Sequence, residues 1–124
     1  LEIIENQPYA RYQELLGNAH VVLDQLYSYT PATNALLGMA RGMTVVTGAE
    51  PEYYDFIGER INRPIINAVP DDAVLTDQLR TIVSQPDMIP RRAESGRRFV
   101  TQHNSTDAVA GRFADFWMRR LNML

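Results

Sequence analysis

The sequence predicts an α/β fold: a Rossmann-like parallel sheet of about four strands flanked by helices. Two observations carry the prediction. Val21-Val22-Leu23 and Thr44-Val45-Val46 are short, unbroken apolar runs, as expected of strands buried on both faces. Between them lies a helix-length segment, Pro31–Arg41, with Ala32, Ala35, Leu36, Leu37, Met39 and Ala40 around most of its circumference, so it should be largely buried. Strand, helix and strand, followed by a further helix near Pro51, read as a right-handed βαβ unit. Ligands of such sheets bind at the carboxyl ends of the strands. Here those ends are Asp24–Thr30 and Thr47–Glu52.

Taken in order, Glu2-Ile3-Ile4 reads as a first strand. It lies at the very start of the chain, so earlier strands are expected upstream. Pro8–Leu16 fits a helix with Tyr9, Tyr12, Leu15 and Leu16 at helical spacing, stopped by Gly17-Asn18; core packing is the expected role of both tyrosines. Tyr27-Ser28-Tyr29-Thr30 leaves the Val21 strand as a polar turn. Thr30 is the expected N-cap of the next helix and Pro31 its first residue, where the missing N–H costs nothing. Gly42 ends that helix, and Gly48 follows the Thr44 strand. Pro51–Ile57 is a short helix ending at Gly58, and Pro64-Ile65-Ile66 a further strand. Val69-Pro70-Asp71-Asp72 is a turn with a capping Asp. It opens a helix over Ala73–Val83 with Leu75, Leu79 and Ile82 on one face.

After Ser84-Gln85-Pro86 a more polar helix covers Met88–Gln102. Its Arg91, Arg92, Arg97 and Arg98 read as a solvated face rather than a nucleic-acid stripe, because no aromatic residues interleave them. The last helix, Ser105–Leu121, carries Val109, Phe113, Phe116, Trp117 and Leu121 on one stripe, read as packed core. Asn104-Ser105-Thr106 matches a glycosylation acceptor but reads as a helix cap in a chain with no cysteine and no signal peptide.

The bulk numbers bound the function. One domain, 1–124, is the natural reading of 124 residues, and 45% hydrophobic content suffices for a core. A net charge of −3 gives no general attraction to nucleic acid or anionic membrane. No stretch approaches the roughly 20 apolar residues of a membrane span. All 12 basic side chains counted as Lys+Arg are arginine. The absence of lysine excludes a Walker-type phosphate loop, a lysine Schiff base and a receiver-type phosphorylation site around Asp24. The chain starts at Leu1 rather than Met, and is read as a piece of something longer.

Chemistry is expected first at the amino end of the Pro31 helix. Its unpaired N–H groups and dipole favour a phosphate, and Ser28, Thr30, Thr33 and Asn34 surround it with hydroxyl and amide donors. The plainer alternative is an ordinary capped helix. Gly48-Ala49-Glu50-Pro51-Glu52 is the second candidate. There a small-residue turn brings backbone close to a ligand, and Glu50 and Glu52 can accept from sugar hydroxyls, unless Glu52 merely complements a dipole. Tyr27 and Tyr29 either flank a ring-shaped ligand or are half-buried turn aromatics. His20 and His103 have no ligand-like spacing, and no metal site is expected.

Several of these runs resemble the C-terminal, nucleotide-sugar-binding half of GT-B glycosyltransferases, in particular the group 1 family of retaining bacterial enzymes. Tyr12–Leu16 with Asn18-Ala19-His20-Val21-Val22 looks like the helix and strand before the donor site, and Asp24-Gln25-Leu26 resembles a DQL variant of some members. Leu37-Gly38-Met39-Ala40-Arg41-Gly42-Met43-Thr44-Val45-Val46 is similar to the family's EAMAxGxPVV run. Gly48-Ala49-Glu50-Pro51-Glu52 is similar to its GGxPE turn, Pro70-Asp71-Asp72 to the turn that follows, and Arg97–Gln102 with the last helix to the terminal pair. The family's two glutamates, eight positions apart, fall on Tyr29 and Leu37, so the usual ribose contact is lost or supplied otherwise.

The resemblance implies a partial GT-B C-terminal domain that binds a nucleotide diphosphate sugar as donor substrate, through Ser28, Tyr29, Thr30, Thr33, Asn34, Gly48, Glu50 and Glu52. It assigns no catalytic residue, and no cofactor or metal. The implied setting is cytoplasmic glycan or polysaccharide biosynthesis, with an acceptor domain upstream and peripheral membrane association of the longer protein. The fragment alone is not expected to catalyse. A homodimer covering the open sheet edge is a further reading. A nucleotide-sugar epimerase of the same architecture and a degenerate, non-catalytic binding module are the alternatives.

Overall fold

The structure, a computed structural model, describes residues 2–122. Along them follow α1 (Tyr9–Gly17), β1 (Val21–Leu23), α2 (Thr33–Ala40), β2 (Thr44–Thr47), α3 (Pro51–Phe56), β3 (Ile66–Asn67), α4 (Asp72–Ser84), α5 (Met88–Asn104) and α6 (Thr106–Leu121). The three strands form one parallel sheet in the order β1-β2-β3, with Val22 opposite Val45 and Val46 opposite Ile66.

Alternation along β2 divides the interior in two. Val45 enters a cluster with Ala35 and Met39 of α2, Ala49, Tyr54 of α3, Ile65, and Phe99 and Val100 of α5. Val46 enters the opposite cluster with Ala68 and Ile82, against Leu75 and Leu79 of α4 and Val21 and Leu23 of β1. Helices therefore cover both faces of the sheet. Phe99 is fully buried and meets Tyr54 edge-on at 6.0 Å between ring centres; burying a side chain of this size contributes roughly 1.5–3 kcal/mol. The Tyr54 hydroxyl lies in this interior, where burial pushes its pKa up to about 12.

The helix boundaries follow local chemistry. Asp71 caps α4 by accepting from the N–H groups of Ala73 and Val74, and Ser105 caps α6 by accepting from that of Ala108. Gly42 and Gly58, with φ of 79° and 73°, terminate α2 and α3 in the left-handed region.

Several sequence expectations are corrected. Residues 2–4 form no strand, so the described sheet has three strands rather than four. β1 is half-buried along its length because it lies at the sheet edge; β2, in the middle, is the strand buried on both faces. The Pro64-Ile65-Ile66 strand is displaced to Ile66–Asn67. Tyr9 is 73% exposed, and Tyr12 is half-buried with its hydroxyl engaged rather than packed in the core. The aromatic stripe of α6 is not core: Phe113, Phe116, Trp117 and Leu121 are 63%, 50%, 60% and 62% exposed. α6 packs against α5, but none of its residues is buried and every described residue after Val109 is exposed, so its apolar stripe is left uncovered among the described residues.

Candidate functional site

Three parallel strands bring their carboxyl ends to one edge, and the ladder continues one residue beyond them. Asp24 donates its N–H to the Val46 carbonyl at 3.0 Å, and Ala68 donates to the Thr47 carbonyl at 2.9 Å. The turns leaving the strands then interlock. The β1–α2 loop folds over the end of β2, accepting at Gln25 O from Gly48 N–H (3.1 Å) and at Tyr29 O from Glu50 N–H (3.0 Å). The fully buried Thr47 hydroxyl bonds to the Gln25 backbone at 3.3 Å, and Asn67 Oδ1 accepts from Ala49 N–H at 2.7 Å.

Gly48 is required by this seating. A Cβ there would lie 1.5 Å from the Ser28 carbonyl oxygen. The close approach that a glycine permits is thus made by the chain's own loop. Ser28 Oγ in turn donates to the Thr30 carbonyl at 2.5 Å and accepts from Thr30 N–H at 3.3 Å, folding the loop tip on itself.

The helix after this loop starts later than its sequence suggests. α2 begins at Thr33 with Ala32 as N-cap, and no side chain caps it. Thr30 is therefore not the cap, and Pro31 lies outside the helix. Thr30 joins the Ser28 turn through its backbone N–H and carbonyl, and Pro31 and Ala32 separate it from the first helical residue. An uncapped first turn leaves N–H groups with no protein acceptor, at the positive end of the helix.

The sequence-derived residues thus gather at one edge. Ser28 lies against Gly48 and Tyr29 against Glu50, with Thr30 bonded to Ser28; Thr33 and Asn34 open the adjoining α2; Glu52 is exposed in the first turn of α3. Tyr27 and Tyr29 are exposed, at 87% and 78%, rather than half-buried.

Asn34 has a structural engagement that its position in the sequence does not disclose. Its Oδ1 accepts from the Tyr12 hydroxyl at 2.9 Å, and its side chain faces Asp24. Asp24 sits just past β1, with Oδ2 buried and without a hydrogen-bond partner. Burial raises its carboxyl above the ordinary aspartate range, against the smaller lowering effects of Asn34 and the Gln25 backbone. Tyr12, too, is raised, by burial and then by Asp24. Tyr12, Asn34 and Asp24 therefore form one polar cluster joining α1, α2 and the end of β1. The position of Asp24 at the end of a strand was the only available signal for it.

A second polar cluster sits in the α3–β3 connection. Glu59, 6% exposed, accepts from Ile61 and Asn62 N–H groups at 2.8 Å each and meets His103 Nε2 at 2.9 Å. Hydrogen bonding to His103 and the two N–H groups holds its carboxyl down at about 2. Among the described residues no group of three or more His, Cys, Asp or Glu is arranged to hold a metal. Nor is any helix of the described residues long and apolar enough to cross a membrane. No protein-family model, curated protein or solved structure matches the chain.

Proposed function

We propose that this chain is the donor-binding part of a glycosyltransferase that moves a sugar from a nucleotide diphosphate sugar to an acceptor. The observation that carries the reading is the convergence of the β1–α2 loop, the Gly48 turn and the uncapped amino end of α2 at the carboxyl edge of a parallel sheet. The donor's diphosphate lies at α2, taking the free N–H groups of its first turn and the hydroxyls of Thr30 and Thr33. There the helix dipole stabilises charge on the departing nucleotide. Glu50 and Glu52 accept from sugar hydroxyls, and the exposed ring of Tyr29 flanks the ligand. Asn34, held by Tyr12, contributes through the backbone. The fuller reading is half of a two-lobed GT-B enzyme, with its acceptor lobe upstream.

The test is turnover by the full-length protein with a panel of nucleotide diphosphate sugars. Thr30→Ala combined with Thr33→Ala removes two hydroxyls from a charged ligand, each worth about 1.5–3 kcal/mol. A loss of at least about a hundredfold in kcat/KM is expected, with the circular dichroism spectrum intact. Undiminished turnover in the double variant would remove α2 from the site.

A further inference from the structure

Among the described residues nothing covers the apolar face of α6. Phe113, Phe116, Trp117 and Leu121 lie on one stripe and stand largely in water. The root of the helix is fixed: Ser105 caps it, Arg112 donates to the His103 carbonyl at 2.7 Å, and Val109 is half-buried. A helix of this length is marginal in water unless its apolar face is packed, so α6 is shaped to receive something. Its charges say what. The first turn is acidic, with Asp107, and the last turn basic, with Arg119 and Arg120. Among the described residues none of these three takes part in an ion pair. A helix of opposite charge at its two ends is complementary to its own reverse.

We infer that α6 is a self-association surface, on which a second copy of this chain seats its own α6 antiparallel about a twofold axis. This is a different surface from the open sheet edge, and it does not depend on donor binding. An axis between Phe113 and Ala114 sets Asp107 of each copy level with Arg120 of the other, so the charge match is made twice. The same register sets Trp117 level with Ala110. These two lie a heptad apart and share one line of the helix, which brings a large ring against a small side chain. Phe113 falls at the axis, against its own copy. A parallel seating would bring like charges together at both ends. With three aromatic rings at least half exposed on each copy, the pair covers on the order of 1,000 Å² in all. That is the low end for a specific interface, so the dimer is weak and forms in the micromolar range. At the lower concentrations used for fluorescence the chain is a monomer and Trp117 stays in water. A lipid surface is the poorer fit, since α6 carries Asp107 and Asp115 and the chain has a net charge of −3.

The test is sedimentation equilibrium of the full-length protein from about 1 to 300 μM, a span set around a micromolar dissociation constant. A reversible monomer–dimer equilibrium is expected. Trp117→Ala should weaken it by about 30-fold or more, with the circular dichroism spectrum unchanged because the ring is outside the core. Asp107→Arg alone, and Arg119→Asp with Arg120→Asp, should each weaken it by at least about tenfold, since each sets like charges opposite one another. Mixing these two variants should restore association as a heterodimer, an outcome that a loss of folding cannot mimic. A wild-type monomer across the whole range would overturn the inference. So would a dimer indifferent to Trp117→Ala, which would place the contact elsewhere, or a mixture that fails to associate. Binding of the wild type to phosphatidylglycerol vesicles that is lost in Trp117→Ala would assign the face to lipid and end the proposal.

Discussion

Gly48→Ala is expected to destabilise the protein by about 3 kcal/mol or more. The added methyl meets backbone, since it would sit 1.5 Å from the Ser28 carbonyl oxygen and 2.4 Å from its carbon. A side chain could rotate away, but a peptide group can move only with its loop. That movement breaks the bonds from Gly48 N–H to Gln25 O and from Glu50 N–H to Tyr29 O, each worth about 1 kcal/mol. Overpacking in a well-filled site adds about 1–3 kcal/mol. Urea unfolding measures the loss; under the proposed donor-binding function, nucleoside diphosphate binding should fall with it because the β1–α2 loop is displaced. A midpoint within error of wild type would show that the loop is not seated on Gly48 in solution.

The second large effect is expected at Glu59. Replacing it by alanine leaves the Ile61 and Asn62 N–H groups without their acceptor and His103 without its partner, all in the interior of the α3–β3 connection. Breaking a buried pair by removing one member costs about 3–5 kcal/mol. Glu59→Gln should cost less, since an amide oxygen can still accept from the two backbone N–H groups. The pair also sets an acid limit. The folded carboxyl titrates at about 2, below its usual 4.5, so its contribution is complete above the usual value and fades as the pH falls toward 2. Thermal unfolding between about pH 5 and 2 should show this slope in the wild type and a flatter one in Glu59→Gln. Parallel slopes would remove Glu59 as its source.

The elements whose period and end signals agree were readable from the sequence. Asp71 and Ser105 cap the helices they were expected to cap, and Gly42 ends α2. The central strand was visible as an apolar run because β2 is covered on both faces. β1 shows the same run at an edge, since burial on one face and on two yield similar triplets when a strand is this short. Glu2-Ile3-Ile4 has the composition of a strand but pairs with no strand among the described residues, and pairing is not a local property.

The α6 stripe failed for a related reason. Its spacing states that one face is apolar and says nothing about what covers it. At the candidate site, sequence reasoning placed the named loops at the carboxyl edge of the strands, and those loops do meet there. It misassigned individual residues where the helix starts later than its end signals suggest, as at Thr30. Asp24 with Tyr12 and Asn34, and Glu59 with His103, join residues far apart in the chain, and no spacing rule reaches them.

The position of Trp117 decides how this protein can be watched. It is the chain's single tryptophan, and it stands largely in water on a helix that takes no part in the interior. Its emission should already be red-shifted in the native state and change little when the sheet melts. An experimenter relying on that signal would record a nearly silent denaturation curve. Tyr54, buried beside Phe99, or the far-ultraviolet helical band, is the reporter that follows the core.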